Sequence, residues 1–334
     1  MKTGKRIVLI ATVFITVLLC NTGCKNSSNQ STGSHKPKVI RLAYQLGHLP
    51  DIIAKNKHWF EEEFAKDSIA IEYKKFDFGP PEIEAFSAGQ LDIGSIGDQP
   101  SIIGWARGVD IKIVGNIVGS ETLMALLVPE NSPVTNFGQL KGKKIGITIG
   151  SNIQHLFNIY LKQYGLKQTD VDVVNLQFTE CVNALSLHQI DATIIGEPYV
   201  SLAVYKKAGK IIAYSKGIKY VTLPYIATNS FIDKYPDIVE RVLKVYRKAS
   251  AWAKQNKEEA AGILMHEENN LLPKEVELSL IDKYTENFGL NDSALHAFSA
   301  TYKYLQETGI IKQQKDIKRL YEVKFDQQAK NDKQ

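Results

Sequence analysis

Ala85-Phe-Ser-Ala-Gly-Gln-Leu-Asp-Ile-Gly-Ser-Ile-Gly-Asp98 and Ala184-Leu-Ser-Leu-His-Gln-Ile-Asp-Ala-Thr-Ile-Ile-Gly-Glu197 align without a gap at an offset of 99 residues. Ala, Ser, Gln, Asp, Ile and Gly coincide, and both stretches end on an acid. Each reads as the close of a helix, a turn and a short apolar strand. Two copies at so long a spacing imply a pair of similar lobes and not a solenoid, which needs many short repeats.

Outward from these stretches the chain alternates β-type and helical runs. Strands are expected over 39–44, 69–76, 91–96, 111–118, 144–148, 171–178, 192–195 and 211–214. Between them, 152–164 has Ile153, Leu156, Phe157, Tyr160 and Leu161 at helical spacing and stops at Gly165. Such alternation predicts α/β architecture with mostly parallel sheets and crossover helices. The last third turns helical, with Ile238, Val242, Val245, Ala249 and Trp252 on one face and further helices over 274–288 and 293–308. The polar tail from Asp326 reads as frayed. Thr222–Thr228 is a β-type run placed to return the chain from a second lobe to the first.

With 334 residues, 44% hydrophobic content, 23 Gly and 11 Pro, the chain is an ordinary globular protein of about two domains. Its formal charge of +5 falls to +2 without Lys2, Lys5 and Arg6, so a nucleic-acid partner held by a basic surface is not expected. Those residues precede thirteen mostly apolar ones, Ile7 to Leu19. As a helix they span roughly 20 Å, short of a ~30 Å hydrocarbon core, so 1–23 reads as a secretory signal peptide and not a membrane span. Cys24 follows Thr22-Gly23, a sequence that resembles the end of a bacterial lipobox with Asn21 in place of the usual aliphatic residue. Lipidation of Cys24 is expected, followed by a polar linker over 24–37; a lipid-anchored and a freely periplasmic form are both open. Cys181, without a partner cysteine, reads as a small buried side chain.

Enzyme motifs are missing. The chain has no G-x-G-x-x-G, G-x-S-x-G, H-E-x-x-H or C-x-x-C, and its seven histidines lack metal-ligand spacing. Loops after strand ends suit an anion instead. Ser151 and Asn152 open the 152–164 helix, whose first turn offers unpaired N–H groups; Ser151 either caps that helix or meets a ligand. Gln45 and His48, around Gly47, offer side-chain donors at the matching place after the first strand, unless they are simply solvated. Gly79, Pro80 and Pro81 after Phe78 form a rigid turn that could also wall the site. Gly97 leads to Asp98, which is expected to cap neighbouring backbone; Glu197 has more chance of meeting an amine or hydroxyl.

These loops spell a family. Ile40-Arg-Leu-Ala-Tyr-Gln45, Gly89 to Asp98, Ala125-Leu-Leu-Val-Pro129, Leu140-Lys-Gly-Lys-Lys-Ile-Gly146 and Gly150-Ser-Asn-Ile-Gln-His155 together resemble the aliphatic sulfonate, taurine and nitrate binding proteins of bacterial ABC importers. Gly196-Glu-Pro-Tyr199 is similar to the family's aromatic–acid–proline turn, with Gly196 replacing Trp, and His58 stands where Gly is usual. The resemblance implies a bilobal periplasmic-binding-protein type II fold, with 38–122 plus 228–334 as lobe 1 and 123–227 as lobe 2. It further implies a monomer without cofactor that hands a small anionic organic solute to permease and ATPase subunits, outside the cytoplasm. The ligand would meet Gln45, His48, Gly79, Pro80, Gly97, Asp98, Ser151, Asn152 and Glu197. An alkanesulfonate-like organosulfonate is the expected solute; nitrate, taurine and a pyrimidine precursor are the alternatives. An enzyme of the menaquinone-precursor type on the same fold is the rival from another class.

Overall fold

The structure is a computed structural model that describes residues 36–331; the targeting segment, Cys24 and nearly all of the linker lie outside the described residues. Among the described residues no helix is long and apolar enough to cross a membrane.

The chain first lays down β1 (Val39–Gln45), α1 (Leu49–Asn56), α2 (Trp59–Phe64), β2 (Ala70–Phe76), α3 (Gly79–Ser87), β3 (Ile93–Ser95), α4 (Asp98–Ala106) and β4 (Ile111–Ser120). It then crosses to β5 (Met124–Val128), β6 (Lys144–Ile147), α5 (Asn152–Gln163), β7 (Asp172–Asn175), α6 (Phe178–Ser186), β8 (Ala192–Gly196), α7 (Tyr199–Tyr205) and β9 (Lys210–Tyr214). β10 (Val221–Thr228) brings it back, and α8 (Asn229–Lys234), α9 (Pro236–Gln255), α10 (Lys257–Glu267), α11 (Lys274–Tyr284), α12 (Asp292–Glu307) and α13 (Lys324–Asn331) follow.

Two five-stranded sheets result, ordered β2-β1-β3-β10-β4 and β7-β6-β8-β5-β9. Their layouts match strand for strand. In each, three strands pair in parallel, as helical crossovers require, and the fourth runs antiparallel between its neighbours. The antiparallel members are β10 and β5, the strands that carry the chain between sheets. This is the bilobal type II architecture expected from the sequence. All pairings of β10, from Val221 onward, lie in the first sheet, so the chain changes sheets between Tyr214 and Val221, ahead of the expected boundary at 227/228.

The repeated stretches take the same local structure. Gly89 and His188, paired by the offset of 99, both adopt left-handed backbone, with φ of 67° and 55°. Beside them, Gln90 N donates to Ala85 O and Gln189 N to Ala184 O, closing both helices alike. The acids that follow also match: Asp92 accepts from Arg41 N at the start of β1, and Asp191 from Lys144 N at the start of β6. His58 is left-handed too, with φ 55°, a conformation that explains a preference for glycine there.

Three expectations need correction. The strand expected over 171–178 stops at Asn175, because Gln177 N donates to Glu180 Oε2 in a reciprocal cap that starts α6 at Phe178. The helix expected over 274–288 ends at Tyr284. The tail is not frayed at Asp326: Phe325 and Ala329 are buried, and Asp326 accepts from Arg247 Nη2 and Leu290 N, which docks α13 on α9.

Candidate functional site

A cleft forms where the helix N-termini of the two sheets meet. From the first sheet come Gln45, Leu46, Gly47 and His48 after β1, Asp77, Phe78 and Gly79 after β2, and Gly97 and Pro100 at the start of α4. From the second come Ser151, Asn152 and Ile153 at the start of α5, Phe178, and Gly196, Glu197 and Tyr199 after β8. Leu123, Met124, Val221 and Leu223 of the crossing segments close it. The solvent-accessible space is ≈ 80 Å³, room for a handful of waters and hence for a small solute. Gly97 lies against Asn152 at the start of α5, since a Cβ there would lie 2.0 Å from Asn152 Oδ1. At Gly196 a Cβ would meet only Leu123 O at 3.6 Å, so this wall has space.

Seven of the nine ligand-binding residues expected from the sequence line this cleft; Pro80 and Asp98 do not. Asp98 is fully buried and turned away. Its Oδ2 accepts from Lys219 Nζ at 2.9 Å and Thr301 Oγ1 at 2.7 Å, and its Oδ1 accepts from Gln99 N. Lys219 Nζ also lies 3.1 Å from Nδ1 of His155, whose pKa is pushed down to about 2 by burial and then by the Lys219 charge. Glu197 does face the cleft, yet it is also paired: Lys283 Nζ donates to Oε1 at 2.9 Å and Ser201 N to Oε2 at 3.0 Å. A carboxylate beside an anion site repels, and each of these is neutralised by a lysine. Neither lysine has a local signal in the sequence, because they stand 121 and 86 residues from their partners.

Ser151 acts as its helix cap. Its Oγ accepts from Ile153 N at 3.2 Å and donates to Thr148 O at 2.7 Å, and Gln154 N donates to Ser151 O, so the hydroxyl is engaged while Ser151, Asn152 and Ile153 bring the start of α5 to the cleft. His48 differs from the expected donor. Ser95 Oγ donates to Asp51 Oδ1 at 2.8 Å, which leaves Nδ1 of His48 to donate to Ser95 Oγ at 2.7 Å and Nε2 as an acceptor. Burial holds this imidazole neutral, with a pKa of about 3, and lifts the Asp51 carboxyl to about 7. Gln45 Nε2 donates to the fully buried Glu82 Oε2 at 2.7 Å. Asp77, exposed at the rim, was missed in the sequence although it directly precedes Phe78 and Gly79.

Among the described residues no Lys or Arg lines the cleft. An anion there meets helix N-termini and neutral dipoles, while Leu46, Phe78, Pro100, Met124, Ile153 and Phe178 suit an apolar portion. Among the described residues no group of three or more His, Cys, Asp or Glu could hold a metal ion. Cys181 is buried and its thiol is pushed up to about 11 by burial, as a structural side chain requires.

Comparisons with known proteins agree with this geometry. The family described as NMT1/THI5 like matches residues 45–260. A putative aliphatic sulfonates-binding protein of Bacillus subtilis is 33% identical over 331 residues, 98% of this chain and 97% of the relative. The crystal structure of the periplasmic aliphatic sulphonate binding protein SsuA from Escherichia coli superimposes with a TM-score of 0.75 at 26% identity, covering 86% of this chain and 92% of that one. The alkanesulfonate-binding protein SsuA from Xanthomonas axonopodis pv. citri, solved bound to MOPS, shares the fold with a TM-score of 0.76 at 22% identity, over 83% of this chain and 95% of its own. The chain therefore belongs to the NMT1/THI5-like family, in its sulfonate and taurine group, and is an extracytoplasmic solute-binding protein of an ABC importer.

Proposed function

We propose that the protein captures a small organosulfonate of the alkanesulfonate type in the cleft and delivers it to permease and ATPase subunits. The observation that carries this reading is the pairing of converging helix N-termini with an apolar wall, without a lysine or arginine in the lining among the described residues. A sulfonate has a compact, permanently charged head that N–H dipoles hold well, and an aliphatic part that suits the apolar wall. Gln45, Gly79, Gly97, Ser151 and Asn152 surround the head in this reading, with Glu197 near the far end. The two lobes, 38–122 with 228–334 and 123–227 apart from the return strand, close on the ligand by a hinge motion. The protein acts as a monomer, anchored through lipidated Cys24.

An aminosulfonate such as taurine is the second reading, favoured by Asp77, a carboxylate exposed at the rim, which suits an ammonium group. A thermal-shift panel of ethanesulfonate, taurine, nitrate and a pyrimidine tests both. A ligand at 100 times its dissociation constant adds about 2.7 kcal/mol. Stabilisation by ethanesulfonate is expected; stabilisation by nitrate or the pyrimidine and by neither sulfonate refutes the proposal.

A further inference from the structure

Glu82, in the first turn of α3, has no exposed surface. Its Oε2 lies 2.7 Å from Gln45 Nε2, and its Oε1, equally buried, has no hydrogen-bond partner among the described residues. The backbone of β3 packs directly on it: a Cβ at Gly94 would come 2.8 Å from Oε1. The neighbouring charge that acts on Glu82 is another carboxyl, Asp51, so no cation compensates it. An ionised carboxylate here would lose its hydration without a counter-charge, at a cost of several kcal/mol. Burial accordingly raises its pKa well above the usual range.

A neutral carboxyl has a proton to give, and this matters for Gln45, which lines the cleft. Opposite a carboxylate, Gln45 must turn its NH₂ inward and show a carbonyl oxygen to the cleft. Opposite a carboxylic acid, the amide can take the reverse orientation, which has the same heavy-atom geometry. Since the lining holds no Lys or Arg among the described residues, a side-chain N–H is a scarce donor there. We propose that Glu82 is a positioning residue for ligand recognition: its carboxyl proton, donated to Gln45 Oε1, turns the Gln45 amide so that Nε2 faces the anionic head of the solute. This rests on the reading of the cleft as a sulfonate site.

Calorimetry with ethanesulfonate, and infrared difference spectra of the free protein at pH 7, test it. Glu82→Gln, whose amide also donates to Gln45 Oε1, keeps affinity within about threefold. Glu82→Met and Gln45→Ala each weaken binding about tenfold, the worth of one hydrogen bond to a charged group, and the double variant is no weaker than Gln45→Ala alone. The infrared difference between the unaltered protein and Glu82→Gln contains the C=O band of a protonated carboxyl. Thermal unfolding checks that the variants stay folded; should Glu82→Met unfold, Glu82→Gln and the infrared band carry the test. Ethanesulfonate binding without that band, a tenfold loss in a folded Glu82→Gln, or losses that multiply in the double variant overturn the inference alone. With the band present and no ethanesulfonate binding, the proposed solute falls, and the role given to the Gln45 N–H falls with it.

Discussion

In the first copy of the repeated unit the chain leaves β3 through Gly97 into Asp98, whose carboxylate turns inward to Lys219; in the second it leaves β8 through Gly196 into Glu197, whose carboxylate stays on the cleft and pairs with Lys283. Up to that point the copies agree in helix closure, left-handed turn and acid-to-backbone contact. They part in burial. The Asp98–Lys219 side chains are 0% and 3% exposed, whereas Lys283 is 27% exposed beside a buried Glu197. One acid has become a strut joining α4, α5, α12 and the segment before β10, while the other borders the cleft with its carboxylate held by Lys283 and Ser201 N. A repeat preserves what its backbone needs, and the ends of its strands are free to take different work.

The largest effect is expected at the buried pair. Lys219→Met leaves an uncompensated charge on Asp98 and should cost about 3–5 kcal/mol in urea unfolding, with Asp98→Asn in the same chain recovering most of it. A loss under 1 kcal/mol for Lys219→Met would show that the strut does not order this region. Acid should reach the same cluster. The folded-state pKa of His155 lies below its ordinary value of about 6.5, so from that pH downward the unfolded chain takes up a proton that the folded one refuses. Stability from this group is complete above pH 6.5 and declines by about 2 kcal/mol by pH 5. His155→Gln should flatten that slope between pH 7 and 5, and an unchanged slope places the acid sensitivity in another group.

At the second copy the expected effects are smaller and more selective. Lys283 is partly exposed and Ser201 N still donates to Glu197, so Lys283→Met should cost about 1–2 kcal/mol of stability, less than the fully buried pair. Its stronger signature is in ligand preference: with Glu197 unpaired, affinity for ethanesulfonate should fall more than affinity for taurine. Equal losses for both would place Glu197 away from the bound solute. The smallest change concerns the shared turn. His188→Gly should raise stability by about 0.5 kcal/mol, since glycine enters left-handed backbone without steric cost but loses more chain entropy on folding. A loss of more than 1 kcal/mol would mean that the His188 side chain makes a contact of its own.

Much of the fold was legible because its signals are local. The strands 39–45, 70–76 and 192–196, the helix Asn152–Gln163 with its Ser151 cap, and the equivalence of the two turns all follow from periodicity and turn chemistry within about twenty residues. The strand ending at Asn175 was misread because Val171 to Phe178 is apolar enough for a strand, while the cap at Gln177 and Glu180 outweighs that preference. Asp326 looked frayed because its immediate sequence is polar; Arg247, from α9, is what holds it. In the site, the loops at 45–48, 79, 97, 151–152 and 196–197 were readable as strand ends, and they do gather at one cleft.

The amino-acid sequence by itself determined the two-lobed α/β plan, the loops that reach the cleft and the family to which the chain belongs, because these depend on short patterns and their order. Only the tertiary structure decided the state of the polar groups inside it. Asp98 turns inward because Lys219 arrives from the segment before β10. His48 presents an acceptor because Ser95 is committed to Asp51, and Gln45 is governed by the buried carboxyl of Glu82. Charge and hydrogen-bond direction are set by burial and by partners far away in the chain, and neither can be read from the residue's own neighbours.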